Sequence, residues 1–570
     1  MPKRLAITIA GAVSLGSYEA GVLYELLDAI HQHNNFPGTP DEERIKIDVL
    51  TGASSGGMTA AIMAHKMLYA ANEFRDPYDN PLYNVWVKRV DLAGLVRTQD
   101  EDSEEGEPAM RSIFSSDLVE RVLGEMLTDR YVSGTWPAPE THSAAANSIS
   151  LGLTLTNLNG VDYWYSMQPS GKFTYTRHDD QMTRVLSVGG TDNVTVWEEI
   201  RIAAVASGAF PLAFRTKELD RRRVDYKKEN LAPWTDDPSR FTYTDGAVLQ
   251  SEPLGMAKRL VNEIDGHWNN DSRFYMFVTP HGKTSSADAN FREVNADYLS
   301  MMTRLAKVVL AQSEFEDWIR AEEVNDLIAL QDARARDLAE SLRAGTSDAM
   351  TIKQTAEDLL RLLFRQPENG GRRRIAGIGS ETLENARRRI EHQYREEIAS
   401  LGEGSLGEGS GGEGSNKAVA FRDMILAFEK AANLGDRDYM RIYGMAVSED
   451  LLAGAELTAF LGFFDQKYRD HDYDRGRLVA RAVLNDPGLS EPGELGPVRY
   501  TPMRTRAIDS SLNGLQLSAV PSEEQQVFRD GMKRRVKAMV RELIGIWSYA
   551  ADIAVIDPIM NAILNEVFRE

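Results

Sequence analysis

Asp48-Val49-Leu50-Thr51-Gly52-Ala53-Ser54-Ser55-Gly56-Gly57-Met58 decides how this chain is read. The stretch holds a G-x-S-x-G pattern, with an apolar run directly before it and another directly after it. Ile45–Leu50 has the composition of a buried strand, and Ser54–Tyr69 that of a helix. A serine at such a strand-to-helix turn stands exposed, because small neighbours let the backbone bend sharply without side-chain clashes. The positive end of the following helix then faces any negative charge that develops beside the hydroxyl. The pattern therefore points to a serine nucleophile and to acyl transfer or hydrolysis.

The surrounding chain limits the alternatives. Its 570 residues suggest about two to four domains, and a hydrophobic share of 42% is enough to fill their cores. Lys and Arg number 65 against 86 Asp and Glu, a net charge of −21. A chain this acidic is a poor partner for nucleic acid, whose binding rests on phosphate neutralisation. Strongly anionic membranes would also repel it unless it carries a local basic face. The absence of cysteine excludes disulfides, thiol catalysis and cysteine-ligated zinc, and it is compatible with a reducing, cytoplasmic setting. The most apolar C-terminal segment, Ile544 to Leu564, is interrupted by Asp552, Asp557 and Pro558, so it does not read as a membrane span. Lys3-Arg4 followed by Leu5–Ala10 could open a signal peptide, but it is read here as a first buried strand running into a turn at Gly11.

The first half alternates strand and helix signals, which predicts an α/β layered domain. Strands are expected at Leu5–Ala10, Ile45–Leu50, Ile149–Thr156 and Arg273–Val278, with helices at Ser17–Ile30 and Ser54–Tyr69. The acidic insert at 99–107 reads as a solvated loop. After about residue 288 strand signals vanish, and Asp297–Leu342, Glu381–Leu401, Ala418–Ala432 and Glu523–Ala550 carry helical spacing. This predicts a separate helical region, divided at 401–416 by a Gly-Glu-Gly-Ser near-repeat that reads as a flexible linker.

A nucleophilic serine needs a site for the oxyanion and a proton acceptor. The oxyanion candidate is Ala10-Gly11-Ala12-Val13-Ser14-Leu15-Gly16, a small-residue turn after the first strand whose N–H groups could receive an anion. If the first two strands are parallel, this turn and Ser54 lie at one end of the sheet. A dinucleotide phosphate loop is the competing reading, but Val13 stands where that pattern needs its second glycine. The proton acceptor candidates are Asp245, in Thr244-Asp245-Gly246-Ala247, and His281, just past Phe274–Val278. Burial beside Ser54 would raise the Asp245 pKa toward useful basicity. The same Asp-Gly pair could instead be a hairpin turn. Ser54, Asp245 and His281 stand in the chain order of an α/β-hydrolase triad, and His178 is a further candidate.

Taken together, the separated motifs resemble the patatin-like phospholipase family. Gly11–Gly16, followed by Ser17-Tyr18-Glu19-Ala20-Gly21, is similar to its glycine-rich oxyanion loop, Gly52–Gly56 to its nucleophile turn, and Asp245-Gly246-Ala247 to its D-G-[AG] motif. Leu153–Gly160 and Ala203–Phe214 are similar to two further stretches. The likeness spans residues 1 to about 285, and more weakly Phe460–Leu478, which reads as a charged helix-turn packed on the core.

The resemblance implies a three-layer α/β/α domain with a mostly parallel sheet over 1–285. Helical regions at 286–400 and 417–570 would follow, on either side of the 401–416 linker. It implies a Ser54–Asp245 dyad without a catalytic histidine, and oxyanion binding by Gly11, Ala12, Val13, Ser14 and Gly16. Gly52, Gly56 and Gly246 would support the motifs. The implied chemistry is hydrolysis of acyl-lipid esters, phospholipid or lysophospholipid, with no metal and no cofactor. The enzyme would touch membranes or micelles transiently. The chain departs from the family where three consecutive glycines become Gly11-Ala12-Val13 and where a basic residue becomes Leu15. These changes motivate a second reading, an inactive lipid-binding or assembly protein whose helical half engages a protein partner.

Overall fold

The computed structural model describes residues 1–96, 112–132, 138–166, 172–190, 194–211, 213–226, 231–232, 234, 236–266, 272–280, 301, 316–363, 382–402, 413–432, 434 and 440–544. The acidic insert at 99–107, His281, the core of the Gly-rich repeat and most of the Ile544–Leu564 segment lie outside these residues.

Among the described residues eight strands form one sheet: β1 Lys3–Ile9, β2 Ile45–Gly52, β3 Ala145–Ser166, β4 Lys172–Leu186, β5 Lys217–Arg221, β6 Ser239–Asp245, β7 Arg273–Val278 and β8 Ile442–Met445. Their order is β5-β6-β3-β2-β1-β7-β8, with β4 paired to β3. The β3–β2, β2–β1, β1–β7 and β7–β8 pairs are parallel. The β4, β5 and β6 pairings are antiparallel. The principal helices are α1 Gly16–Asn35, α2 Ser55–Tyr69, α3 Asp117–Leu127, α4 Val194–Ser207, α5 Leu254–Asp265, α6 Glu316–Ala344, α7 Ala349–Leu363, α8 Leu383–Gln393, α9 Arg395–Leu401, α10 Glu413–Ala431, α11 Gln466–Leu484 and α12 Ser522–Ile544.

The central strands alternate in period two, with both faces buried. Leu5, Ile7 and Ile9 of β1 join Phe274 and Met276 of β7 in the large core with α1 and α2. Ala6, Val49 and Tyr275 point the other way, onto Met256, Ala257, Leu260 and Val261 of α5. Apolar side chains on both faces explain why these strands read as continuous hydrophobic runs. The expected three layers are present.

The C-terminal half departs from expectation. Ile442–Met445 is a strand, and it extends the sheet beyond β7. The main core also takes in Met445, Val447, Leu452, Phe463, Tyr473 and Leu484, so this part of the chain is continuous with the α/β layers. Helices α6 to α10 hold a second core around Leu342, Leu360, Ile390, Phe421 and Ile425. Of the segment expected as a linker over 401–416, Leu401 belongs to α9 and residues 413–416 to α10, and 403–412 lie outside the described residues.

Helix α11 is the charged stretch expected to pack on the core, and it does so against α1 at backbone distance. A Cβ on Gly21 would lie 1.9 Å from the Tyr473 carbonyl oxygen, and one on Gly476 would lie 2.1 Å from that of Tyr18. No other residue fits this crossing. One turn further along α1, Glu25 is fully buried and accepts hydrogen bonds from Arg477 Nε at 2.9 Å and Arg481 Nε at 2.7 Å. Removing the carboxylate would leave the fully buried Arg477 guanidinium with Asp474, at 3.7 Å, as its anionic neighbour and take from Arg481 its ion-pair partner. Glu25→Gln should therefore lower the unfolding free energy by about 3 kcal/mol, read as a fall in the urea midpoint. An unchanged midpoint would show that these charges contribute nothing to docking α11.

Candidate active site

The turn between β2 and α2 is as tight as its composition suggests. Ser54 has φ 53° and ψ −125°, a left-handed backbone that costs a non-glycine residue about 1–3 kcal/mol. The neighbouring glycines permit it. A Cβ on Gly52 would lie 2.2 Å from the Gly56 carbonyl oxygen, and one on Gly56 would lie 2.3 Å from that of Ala10. The Ser54 N–H donates to the Ser207 hydroxyl at 3.1 Å, which ties the turn to the end of α4.

Asp245 is the last residue of β6 and pairs with Leu155 of β3. Ser54 Oγ donates to its Oδ2 at 2.6 Å, and the Ala247 N–H donates to its Oδ1 at 2.8 Å. The Asp245 N–H donates to the Ala209 carbonyl, while its own carbonyl accepts from Thr156 Oγ1 at 2.7 Å. Asp245-Gly246 is thus no hairpin turn: it starts a short 3-10 segment, Gly246–Val248, pressed against β3. A Cβ on Gly246 would meet the Thr154 carbonyl oxygen at 2.2 Å. The Asp245 carboxyl is buried, and burial pushes its pKa up to about 7 against the opposing pull of the Ser54 and Ala247 hydrogen bonds.

The loop after β1 sits against the same turn, but its N–H groups are not all available. Gly11 donates to the Ser251 carbonyl at 3.2 Å, and Ala12 to the Ser55 hydroxyl at 2.8 Å. Gly16 donates to the carbonyls of Ser14 and Val13. Val13, at φ 49°, is the loop residue that faces the cavity beside Ser54. Of the histidine candidates, His178 Nδ1 donates to the Asn157 carbonyl at 2.7 Å and makes no bond to Ser54 or Asp245, and His281 lies outside the described residues.

Ser54 opens into an apolar slot with about 60 Å³ of free space. Met58, Val85, Trp86, Val119, Leu123, Phe210 and Phe214 form most of its wall, and Phe463 completes it. Among the described residues Arg215 is its one charged lining residue, and it is ion-paired to Glu120 at 2.6 Å. Motif reading touches this wall at Met58, Phe210 and Phe214, which lie in the quoted stretches, and does not find Val85, Trp86, Val119 or Leu123, which have the spacing of ordinary core. It also passes over Glu19, which is fully buried beside the Ser55 hydroxyl, so that its carboxyl is held well above its usual pKa by burial.

Residues 7–258 match the family described as patatin-like phospholipase, so the chain carries a patatin-like phospholipase domain over that span. Two relatives have no described activity. An uncharacterized protein, y4iI, of Sinorhizobium fredii (strain NBRC 101917 / NGR234) is 25% identical over 319 residues, covering 44% of each chain. An uncharacterized membrane protein, Rv3479, of Mycobacterium tuberculosis (strain ATCC 25618 / H37Rv) is 24% identical over 295 residues, covering 44% of this chain and 25% of its own. The chain thus spans less than half the length of either relative that it matches. Among its described residues no helix is long and apolar enough to cross a membrane.

The buried carboxyl has a consequence for stability that does not depend on activity. With a pKa near 3.8 when unfolded and about 7 when folded, Asp245 favours the native state while it holds its proton. That contribution is complete below about pH 4 and is lost as pH rises through 7. Asp245→Asn keeps a neutral group of the same shape. It should be more stable than the wild type at pH 8 by a few kcal/mol, with the gap closing as pH falls toward 4. Urea unfolding across this range checks it, and a constant gap would contradict the buried, raised carboxyl.

Proposed function

We propose that the protein is a serine acyl hydrolase acting on acyl-lipid esters, with phospholipid or lysophospholipid as the substrate class. The observation that carries this reading is the 2.6 Å hydrogen bond from Ser54 Oγ to a buried Asp245 at the mouth of an apolar slot. The patatin-like domain supports the lipid substrate. The direct bond also favours a two-residue mechanism, since it leaves no room for an imidazole between serine and carboxylate.

In this mechanism the acyl chain lies in the slot and the ester carbonyl rests over Ser54. Ionised Asp245 accepts the Ser54 proton as Oγ attacks the carbonyl carbon. The tetrahedral oxyanion is held by the N–H of Val13 and by that of Ser55, the first residue of α2, where the helix end adds positive potential. Asp245 returns the proton to the leaving alcohol as the C–O bond breaks, which leaves Ser54 acylated. Water then attacks the acyl-enzyme and gives its proton to Asp245. The free acid departs, and Ser54 regains its hydrogen. A carboxyl with a pKa about 7 can both take and return this proton near neutrality. The protein would meet its substrate at membrane or micelle surfaces.

A fluorophosphonate probe should label Ser54 in the wild type and nothing in Ser54→Ala, as read by mass spectrometry. Asp245→Asn should slow labelling at least about 100-fold. The wild-type rate should rise with pH about a midpoint near 7, because the base acts only when ionised. Hydrolysis undiminished in folded Ser54→Ala would overturn the proposal.

A further inference from the structure

The slot is completed from outside the patatin-like match. Phe463 stands about 200 residues beyond the end of that match, yet it lines the same cavity as Ser54. We infer that Phe463 sets the length of acyl chain the slot accepts, an inference that rests on the acyl-hydrolase reading above.

The support is the way this aromatic is held. Arg469 is nearly fully buried and donates through Nη1 to the Gly462 carbonyl at 2.8 Å and through Nε to the Val87 carbonyl at 2.9 Å. One guanidinium thus fixes the residue before Phe463 to the helical segment Asn84–Arg89, whose Val85 and Trp86 also line the slot. On its other side Gly462 rests on the loop after β1, where a Cβ would come within 2.6 Å of Ser14 Oγ. Asp472 braces the same place, accepting from the N–H groups of Ala453 at 2.7 Å and Gly454 at 2.9 Å. A Cβ on Gly454 would in turn be 3.2 Å from Gly462. Phe460 adds an aromatic contact, stacking on Phe114 at 5.4 Å and meeting Phe210, another wall residue, edge-on at 6.1 Å. Phe463 itself packs edge-on against Phe460 at 5.8 Å.

A side chain whose preceding residue is fixed on this many sides is a rigid wall, not a lid. A straight acyl chain in the slot can extend past this wall only where the side chain leaves room, and each further methylene accommodated is worth about fourfold in binding. Shrinking Phe463 should lengthen the accepted chain and enlarging it should shorten the chain.

The test uses the full chain and a series of straight-chain alkyl fluorophosphonates of increasing length. The reading is the labelling rate of each probe relative to the shortest one. Phe463→Ala should raise this ratio for the longer probes by about fourfold for each methylene accommodated, with Phe463→Leu changing in the same direction by less. Phe463→Trp should lower it. The Leu and Trp variants keep the test sound should the Ala variant fold poorly. In parallel, binding of straight-chain fatty acids of increasing length to Ser54→Ala, with and without each Phe463 change, is measured by calorimetry. Length profiles that superimpose in both measurements overturn the role given to Phe463. A shifted binding profile with no labelling of Ser54 by any probe keeps that role and overturns the acyl-enzyme reading instead.

Discussion

Strand β3 fixes where the serine and the carboxylate can meet. One edge of β3 is taken by β4 along most of its length. Its other edge is shared between two strands that run toward each other. Parallel β2 ends at Gly52, opposite Leu153, and antiparallel β6 ends at Asp245, opposite Leu155. The two strand ends therefore face each other across a gap of about two residues, roughly 7 Å at the rise of a strand. The turn at Ser54 bridges that gap. Register is the controlling variable, because a slip of one residue in β6 would turn the Asp245 side chain to the opposite face of the sheet. The Thr156 hydroxyl on the Asp245 carbonyl and the Ala209 carbonyl on the Asp245 N–H both resist that slip.

The same meeting point explains the electrostatics. Asp245 ends a strand, is enclosed by β3 and the Ser54 turn, and is held by one hydroxyl and one N–H. Neither is a cation, so desolvation dominates and its proton is held more tightly than in water. Asp48, buried in β2, differs in its partner: both of its oxygens are hydrogen-bonded to the Arg273 guanidinium. The fold places one buried carboxylate against a cation and another against a serine. In the second arrangement burial sets the basicity of the proton acceptor.

These arrangements were legible in the sequence to different degrees. Gly52–Gly56 and Asp245-Gly246 could be read because turns this tight demand small residues at fixed positions, and the alternation of Leu5 to Ile9 gave its strand away for the same local reason. The loop after β1 was legible only as a place. Which of its N–H groups remain free depends on Ser251 and Ser55, partners that no spacing rule supplies. Strand β8 was missed because Ile-Tyr-Gly-Met is four residues long and is made a strand by pairing with β7, more than 160 residues earlier. Phe463 was read only as part of a charged helix-turn packed on the core; it does lie in the core, and that it also borders the slot depends on Ser54 and its neighbours, about 400 residues earlier in the chain.

The hydrophobic core does not stop where the family match ends at residue 258. Cutting the chain near residue 285 would leave β7 as an open sheet edge with unpaired N–H and carbonyl groups. It would also strip α1 of the helix that its Gly21 is shaped to receive, and take from Glu25 both of its guanidinium partners. The slot would lose its Phe463 wall and the loop after β1 its Gly462 support. Helix α11 and the segment before it therefore do for this α/β domain what its own sequence cannot. They seal the side of the sheet on which the Ser54 turn opens. The functional unit that physics defines here is the α/β domain together with β8, α11 and the 453–464 segment, whatever boundary sequence similarity draws.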